Sequence, residues 1–509
     1  MKRLLIAGLI GCTTMPAQAQ STQTKQLDIN DVKTLITANG PLFSDGNRHL
    51  FEVPKGSNKH TVYASSVWIG GVSNGNLYLA AETYRQQGID IQAGPVLNNY
   101  TPATNQYWNR VWSIKKTDIQ DFLYKVQNNQ SVNTPQFIDI LEWPAKGNVK
   151  VGDTTKGYAP FIDANNNGKY EPMLGDYPQI KGDMMLYSVM NDDLSTHTES
   201  GGTPMKIEIH RSSYAYQANN HLNNSIFVDY KVINKSNRQY DSLLFASWVD
   251  YDLGNYADDY VGTDVSRNMI YGYNGDANDE GMLGYGTTPP AQACVLLSHD
   301  LYNSKYYQND FSIVGNPTRP EHYYYYMIGR GKANNIPIRN GSPVRYYFDG
   351  NPCTQTGWTE RYDTLNPGDR RILGTIPPQF LAPDAELNIT MAFVYARANS
   401  GDHLSSVCAL QDAVDEVKTW YNNRSTGLKE KVIYQSGIAV YPNPTNGLLH
   451  VNTENHTLSS VTIMDLAGKS VLNTTSTNTF DVSMLDAGIY YIQLSDKNGL
   501  VHTQKFVKQ

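Results

Sequence analysis

The chain has 509 residues, of which 17% are charged and 36 are tyrosine, and it carries a formal charge of −7. That charge density lies below the ~25% of ordinary soluble domains, and an acidic balance argues against nucleic acid as a partner. The length allows two or three domains. Abundant Tyr, Asn, Thr and Gly, with few helical patterns, point to a β-rich extracellular protein rather than a cytosolic enzyme.

The chain opens MKRLLIAGLIGCTTMPAQAQ. Lys2 and Arg3 form a basic start, an apolar stretch follows, and Ala17-Gln18-Ala19 is a small-x-small cleavage site, so residues 1–19 read as a signal peptide. Leu9-Ile10-Gly11-Cys12 also resembles a lipobox, but the apolar run before Cys12 is short, which favours cleavage after Ala19. Losing Lys2 and Arg3 makes the mature chain two units more negative. No later stretch approaches the ~18 uninterrupted apolar residues of a spanning helix. Cys12 leaves with the signal. Cys294, Cys353 and Cys408 then allow one internal disulfide whose pairing stays open.

From residue 20 to 424 the patterns are mainly β. Ile226, Val228, Tyr230 and Val232 alternate along SIFVDYKVIN, and Leu387, Ile389, Met391, Phe393 and Tyr395 do the same in LNITMAFVYA. Period two with β-branched and aromatic residues marks half-buried strands. Short helices are expected over 30–37 and 117–126, and a longer one over 405–422, where Val407, Leu410, Val414, Val417 and Tyr421 recur at helical spacing. The expected fold is a large β-sandwich-rich body with a few short helices.

Two acidic loops are candidate cation sites. In FIDANNNGKYEPMLGD, Asp163, Asn165, Asn167 and Gly168 fit the first half of an EF-hand-type loop, with the Lys169 carbonyl as the seventh-position ligand. Leu174 stands where the closing glutamate belongs, so Glu171 or Asp176 has to supply that carboxylate. Such a site is weak, about 10⁻⁴–10⁻³ M for calcium; an Asx/Gly turn without an ion is the alternative. In WVDYDLGNYADDYVGTD, Asp250, Asp252, Asp258, Asp259 and Asp264 crowd together. Unpaired carboxylates this dense repel one another and favour a cation. A solvated acidic loop is the alternative. Calcium is the cofactor both loops suggest.

No nucleophile elbow, HExxH, P-loop or dinucleotide motif is present, so catalytic residues are not assigned and the enzyme question stays open. Glu360, beside Trp358, is the best single acid candidate; an edge carboxylate beside a core Trp is the competing reading. Tyr323 to Tyr326, read as a strand with two outward rings, and Trp68 and Trp358 are candidate sugar platforms.

A polar linker, 425–436, precedes another run of short strands from 437 to 509. Here Tyr441-Pro442-Asn443-Pro444-Thr445-Asn446-Gly447 opens the segment. Asp465-Leu466-Ala467-Gly468-Lys469 forms a central turn. Gly488 with Ile489-Tyr490-Tyr491-Ile492 begins a late strand, and Lys505 and Lys508 close the chain. In this order the motifs resemble the type A C-terminal sorting domain of the type IX secretion system. The resemblance implies an Ig-like β-sandwich recognised by the secretion translocon, cleavage by a surface sortase near the linker, and release or attachment of the body to anionic lipopolysaccharide.

The body, through Val67-Trp68-Ile69-Gly70-Gly71, Thr83-Tyr84-Arg85, Gly175-Asp176-Tyr177-Pro178 and Gly368-Asp369-Arg370-Arg371, also resembles an uncharacterised family of large secreted proteins carrying the same domain. That resemblance implies a fold unit and a surface location, not a reaction. The expectation is a secreted or surface-anchored, calcium-stabilised adhesin or glycan-binding protein. The alternatives are a secreted hydrolase of polysaccharide or protein and a structural surface-layer component.

Overall fold

The computed structural model describes residues 23–84, 86, 88–148, 157–363, 365–424, 439–452, 458–465, 469–474, 478–496 and 501–509. The expected signal peptide (1–19), the linker (425–436), Arg85, and Leu466, Ala467 and Gly468 of the central turn lie outside the described residues.

Two antiparallel sheets carry the body. The larger has nine strands. Its path runs Asp259–Asp264, Met269–Asn274, Ala291–Leu296, Glu386–Ala396, Ser225–Asn234, Ile207–Ala215, Met184–Asn191 and Gln92–Ala93. Trp112–Lys115 also pairs with Met184–Asn191. The second sheet runs Asn303–Gln308, Arg370–Thr375, Tyr240–Tyr251, Val62–Ser73 and Asn76–Ala81, with Gln379–Leu381 on the side of Tyr240–Tyr251.

The alternating residues read from the sequence set how the sheets pack. Val228 and Tyr230 of one sheet and Phe245, Val249 and Ile372 of the other meet in one buried cluster, together with Ile389, Met391 and Phe393. Successive side chains in a strand point to opposite faces, so each sheet has a second face to cover. On the nine-stranded sheet α5, His403–Arg424, lays Val407, Leu410, Val414 and Val417 over that face. On the other sheet α4, Pro320–Met327, packs Tyr323 and Tyr326 against Trp68, Trp248 and Leu373. The helix expected over 117–126 is α2, Lys116–Gln127, which buries Ile119, Phe122 and Leu123.

Two expectations are corrected. Residues 30–37 form no helix; Lys33–Thr37 is a strand paired with Thr24–Leu27. Thr34, Ile36 and Thr37 are stiff at χ1, and the Asn30 amide donates to Ser225 O at 3.0 Å, pinning the turn before the strand. The four tyrosines form helix α4 rather than a strand. Pro320 starts it with a φ suited to a first helical turn, and Tyr323 and Tyr326, three apart, share the buried face.

Cys353 and Cys408 form a disulfide that ties the 350–358 turn to α5. Cys294 is buried and free, 3.1 Å from Ser247 Oγ. Residues 439–509 hold two smaller sheets. One joins Ala439–Tyr441, Leu448–Asn452 and Thr479–Asp481; the other joins Ser470–Thr474, Leu458–Met464, Gly488–Asp496 and Val501–Lys508. Val440, Leu449, Val461, Ile463, Ile492 and Phe506 share a core between them. Among the described residues no helix is long and apolar enough to cross a membrane.

Candidate functional site

Asp250 lies near the end of strand Tyr240–Tyr251, opposite Arg371 in the register. Arg371 Nε donates to Asp250 Oδ2 at 3.0 Å. Asp252 follows one strand immediately past its end at Tyr251, and Asp369 immediately precedes the other, which starts at Arg370. Ligand oxygens of Asp250, Asp252 and Asp369 lie within 4.8 Å of one another. Among the described residues they are the one such group of three or more His, Cys, Asp or Glu.

The guanidinium is fully engaged. Beyond Asp250 it donates to Asn316 Oδ1 at 2.6 Å, Gln86 Oε1 at 3.2 Å and Tyr84 Oη at 3.3 Å. A planar fork held at several points fixes its partner. Among the described residues, Asp250 Oδ1 and Asp369 Oδ1 are buried with no hydrogen-bond partner. Asp369 Oδ2 accepts from Asn309 Nδ2 at 2.8 Å. Burial pushes the Asp250 carboxyl up, and Arg371 pulls it back only in part. Burial, with repulsion from Asp250 and Asp369, raises Asp252 well above the carboxylate range. The centre thus sets three carboxyl groups against one guanidinium, and without a cation burial favours the protonated forms of Asp250 and Asp252. Oxygen-only ligands of this kind suit a hard divalent cation.

The remaining members of the second loop separate. Asp264 is drawn off by Arg267, Nη1 to Oδ2 at 2.8 Å. Asp259 is buried and accepts from Leu253 N at 2.9 Å. Burial and the neighbours Asp279 and Glu280 push Asp258 up to about 7. Asp369 was missed by reading one loop at a time; Gly368-Asp369-Arg370-Arg371 carries no local mark of a cation site, and only the pairing of Arg371 with Asp250 brings it in.

The first loop is coiled as its Asx/Gly spacing requires. Asp163 Oδ2 accepts from Gly168 N at 2.7 Å, and Gly168 has φ +77°, which suits glycine. Asn165 Oδ1 accepts from Asn167 N, and Asn167 Oδ1 from Lys169 N. The Asn167 amide donates to Glu171. Asp176 is buried and closes the loop through Ala164 N at 2.8 Å and Glu171 N at 2.7 Å. Asp163, Asn165 and Asn167 remain at the surface end of this turn.

The other sequence candidates lie elsewhere. Glu360 is buried, with Arg370 Nε at 2.6 Å and Val261 N at 2.8 Å. Trp68 is fully buried and stacks on Trp248 at 6.5 Å, so it offers no sugar platform. Trp358 is half-buried with the Arg339 guanidinium 4.6 Å over its ring.

In the C-terminal part, Pro442 and Pro444 have no N–H to donate. Asn443 between them supplies the missing pairing with its side chain. Its Oδ1 accepts from Val507 N at 2.9 Å and its Nδ2 donates to Lys505 O at 3.0 Å. Thr445 N then donates to Val507 O, and Gly447 O accepts from Val482 N. The motif is thus clamped to the last strand. Lys469 N is held by Asp465 Oδ1 at 3.0 Å. Gly488 starts the strand in which Tyr490 stacks on Phe506 at 5.7 Å.

Residues 439–509 match the secretion system C-terminal sorting domain. The chain therefore carries the address of a type IX secretion cargo, read by that system's translocon and sortase, and is exported to the cell surface. No curated protein matches the chain. Among solved structures a polysaccharide lyase matches at 9% identity with a TM-score of 0.22, over 69% of this chain. The match spans 40% of the lyase chain, and a likeness that low carries no argument.

Proposed function

We propose that the chain is a calcium-stabilised surface protein whose body, residues 20–424, binds glycans outside the cell. In this reading residues 437–509 are an Ig-like sandwich that serves export, and the 425–436 linker is where the sortase cuts. After cutting, the body is released or joined to anionic lipopolysaccharide. The observation that carries the cation part is the Asp250–Asp252–Asp369 group with its two unpartnered buried oxygens. A Ca²⁺ there takes several carboxylate oxygens at once. The Asp163 loop is a second, weaker position of the same kind.

A place on the outer surface makes binding to extracellular polymers the natural task of a β-rich body. The hydrolase alternative loses its best single acid candidate, since Glu360 is held in by Arg370. The test is a glycan array probed with the secreted chain, with and without chelator, alongside elemental analysis. Chelator-sensitive glycan binding and bound calcium support the proposal. Self-assembly with no glycan bound would favour a surface-layer component and overturn it.

A further inference from the structure

On the outer face of the nine-stranded sheet Phe227 lies 5.1 Å from Trp420 of α5. One row along, Tyr187 faces Ser212 and packs on Trp143 at 5.1 Å. Beside these rings the register sets two polar rows across three strands. His210 faces Lys231, and Lys231 faces Asn388; Ser212 faces Asp229, and Asp229 faces Thr390. Polar side chains at the middle of a sheet face need water or a ligand over them. They form the floor of a cavity of about 660 Å³, walled by Phe161 and Lys181, within the size range of ligand sites.

Lysines gather at this cavity in a chain of net charge −7. Lys146, Lys181 and Lys231 line it with one carboxylate, Asp229, while Glu208 and Glu386 stand at its edge on His210 and Lys231. Lys181 pairs with Asp229, and Lys231 lies 3.3 Å from Glu386, but each lysine side chain is about half exposed. Such pairs are weak and exchange readily for an incoming anion.

The deeper groups are fixed. Tyr187 Oη donates to Tyr158 O at 2.5 Å and sits 2.9 Å from His210 Nδ1; His210 Nε2 lies 2.9 Å from Glu208 Oε1. Both ring nitrogens and the phenol are thus taken up within the protein, which makes this trio a rigid floor rather than a free acid or base.

We propose that this groove binds a segment of acidic polysaccharide. Lys181 and Lys231 take uronate carboxylates, the Ser212, Asp229, Asn388 and Thr390 polar groups take sugar hydroxyls, and the half-buried Phe161 ring takes a sugar face. This names the ligand class within the glycan-binding reading and rests on it.

The experiment is calorimetric titration of the secreted chain with short oligogalacturonate and with its methyl-esterified, uncharged form. The acid form is expected to bind and to weaken with salt, while the ester binds at least about tenfold more weakly. Lys181→Ala and Lys231→Glu each lower affinity for the acid form by about tenfold with an unchanged melting temperature. Equal binding of acid and ester, or wild-type affinity in both variants, overturns the groove and leaves surface glycan binding standing. No binding of any glycan, on the array or in the titration, overturns both.

Discussion

Asp250 and Arg371 are cross-strand partners 3.0 Å apart, and just beyond the ends of their strands Asp252 and Asp369 bring two further carboxyls within reach of Asp250. One ion pair is thus extended into a site with three carboxyl groups to one guanidinium. Breaking a buried pair leaves an uncompensated charge and costs about 3–5 kcal/mol. Arg371→Met is therefore expected to destabilise the body strongly and to raise its dependence on added calcium. Denaturant midpoints measured at two calcium concentrations check both effects.

The raised carboxyls make stability depend on pH in a defined direction. Asp250 and Asp252 both titrate above their ordinary value of 3.8 because burial disfavours their charged forms. The cation-free folded state therefore holds protons that the unfolded chain has released. Its stability is fully present below the unfolded value and is lost as pH rises through the raised folded values. Calcium competes with those protons, so its effect on the melting temperature should grow over the same rise. Melting curves from pH 4 to 8, with calcium or with chelator, read this out as two lines that diverge upward.

Lys305 is buried with its Nζ 3.1 Å from Tyr347 Oη and 4.3 Å from that ring's centroid. Burial lowers it to about 7 from 10.5. A base depressed on folding costs stability at and below neutral pH, and that cost shrinks as pH rises toward the unfolded value. Lys305→Met is expected to gain on the wild type at pH 7, with the gain fading by pH 10. Parallel unfolding titrations at the two pH values show whether the difference closes.

The Cys353–Cys408 bridge closes a sequence separation of 55. Chain-entropy reasoning assigns a loop of that length about 4 kcal/mol. A Cys353→Ser/Cys408→Ser variant should unfold at clearly lower denaturant, while Cys294, buried and free, should resist thiol reagents until the body opens. Labelling kinetics under native and denaturing conditions separate the two thiol environments.

Asn443 clamps the motif to the last strand, its Oδ1 accepting from Val507 N and its Nδ2 donating to Lys505 O. Asn443→Ala removes both bonds at an exposed position, at about 0.5–1.5 kcal/mol each, and frees the motif from the last strand. The expected result is cargo retained before the cell surface, seen by fractionation, with the body itself still folded by limited proteolysis.

The strands were legible where one face is buried. Ile226 to Val232 and Leu387 to Tyr395 alternate cleanly because one side meets the core. Helix α5 was legible from its 3.6 period. The Tyr323 to Tyr326 run misled, since aromatic residues favour strands in isolation, while Pro320 and packing on Trp68 impose a helix here. Asp250 and Asp252 could be read as candidate cation ligands from their density, though the same density also drew in Asp258, Asp259 and Asp264, which lie outside the group. Asp369 could not, because the residue that aligns it, Arg371, stands 121 positions from Asp250 and meets it only through sheet pairing. The groove over His210 and Lys231 was hidden for the same reason: its rows cross strands whose order local sequence does not reveal.

The central claim is that a divalent cation sits among Asp250, Asp252 and Asp369. Calcium titration of the chelator-stripped chain, beside Asp252→Asn and Asp369→Asn, tests it directly. The account predicts a saturable calcium site in the wild type that is lost in both variants, with a melting temperature that rises on calcium addition in the wild type alone. Identical titrations and identical melting shifts in all three proteins would contradict it.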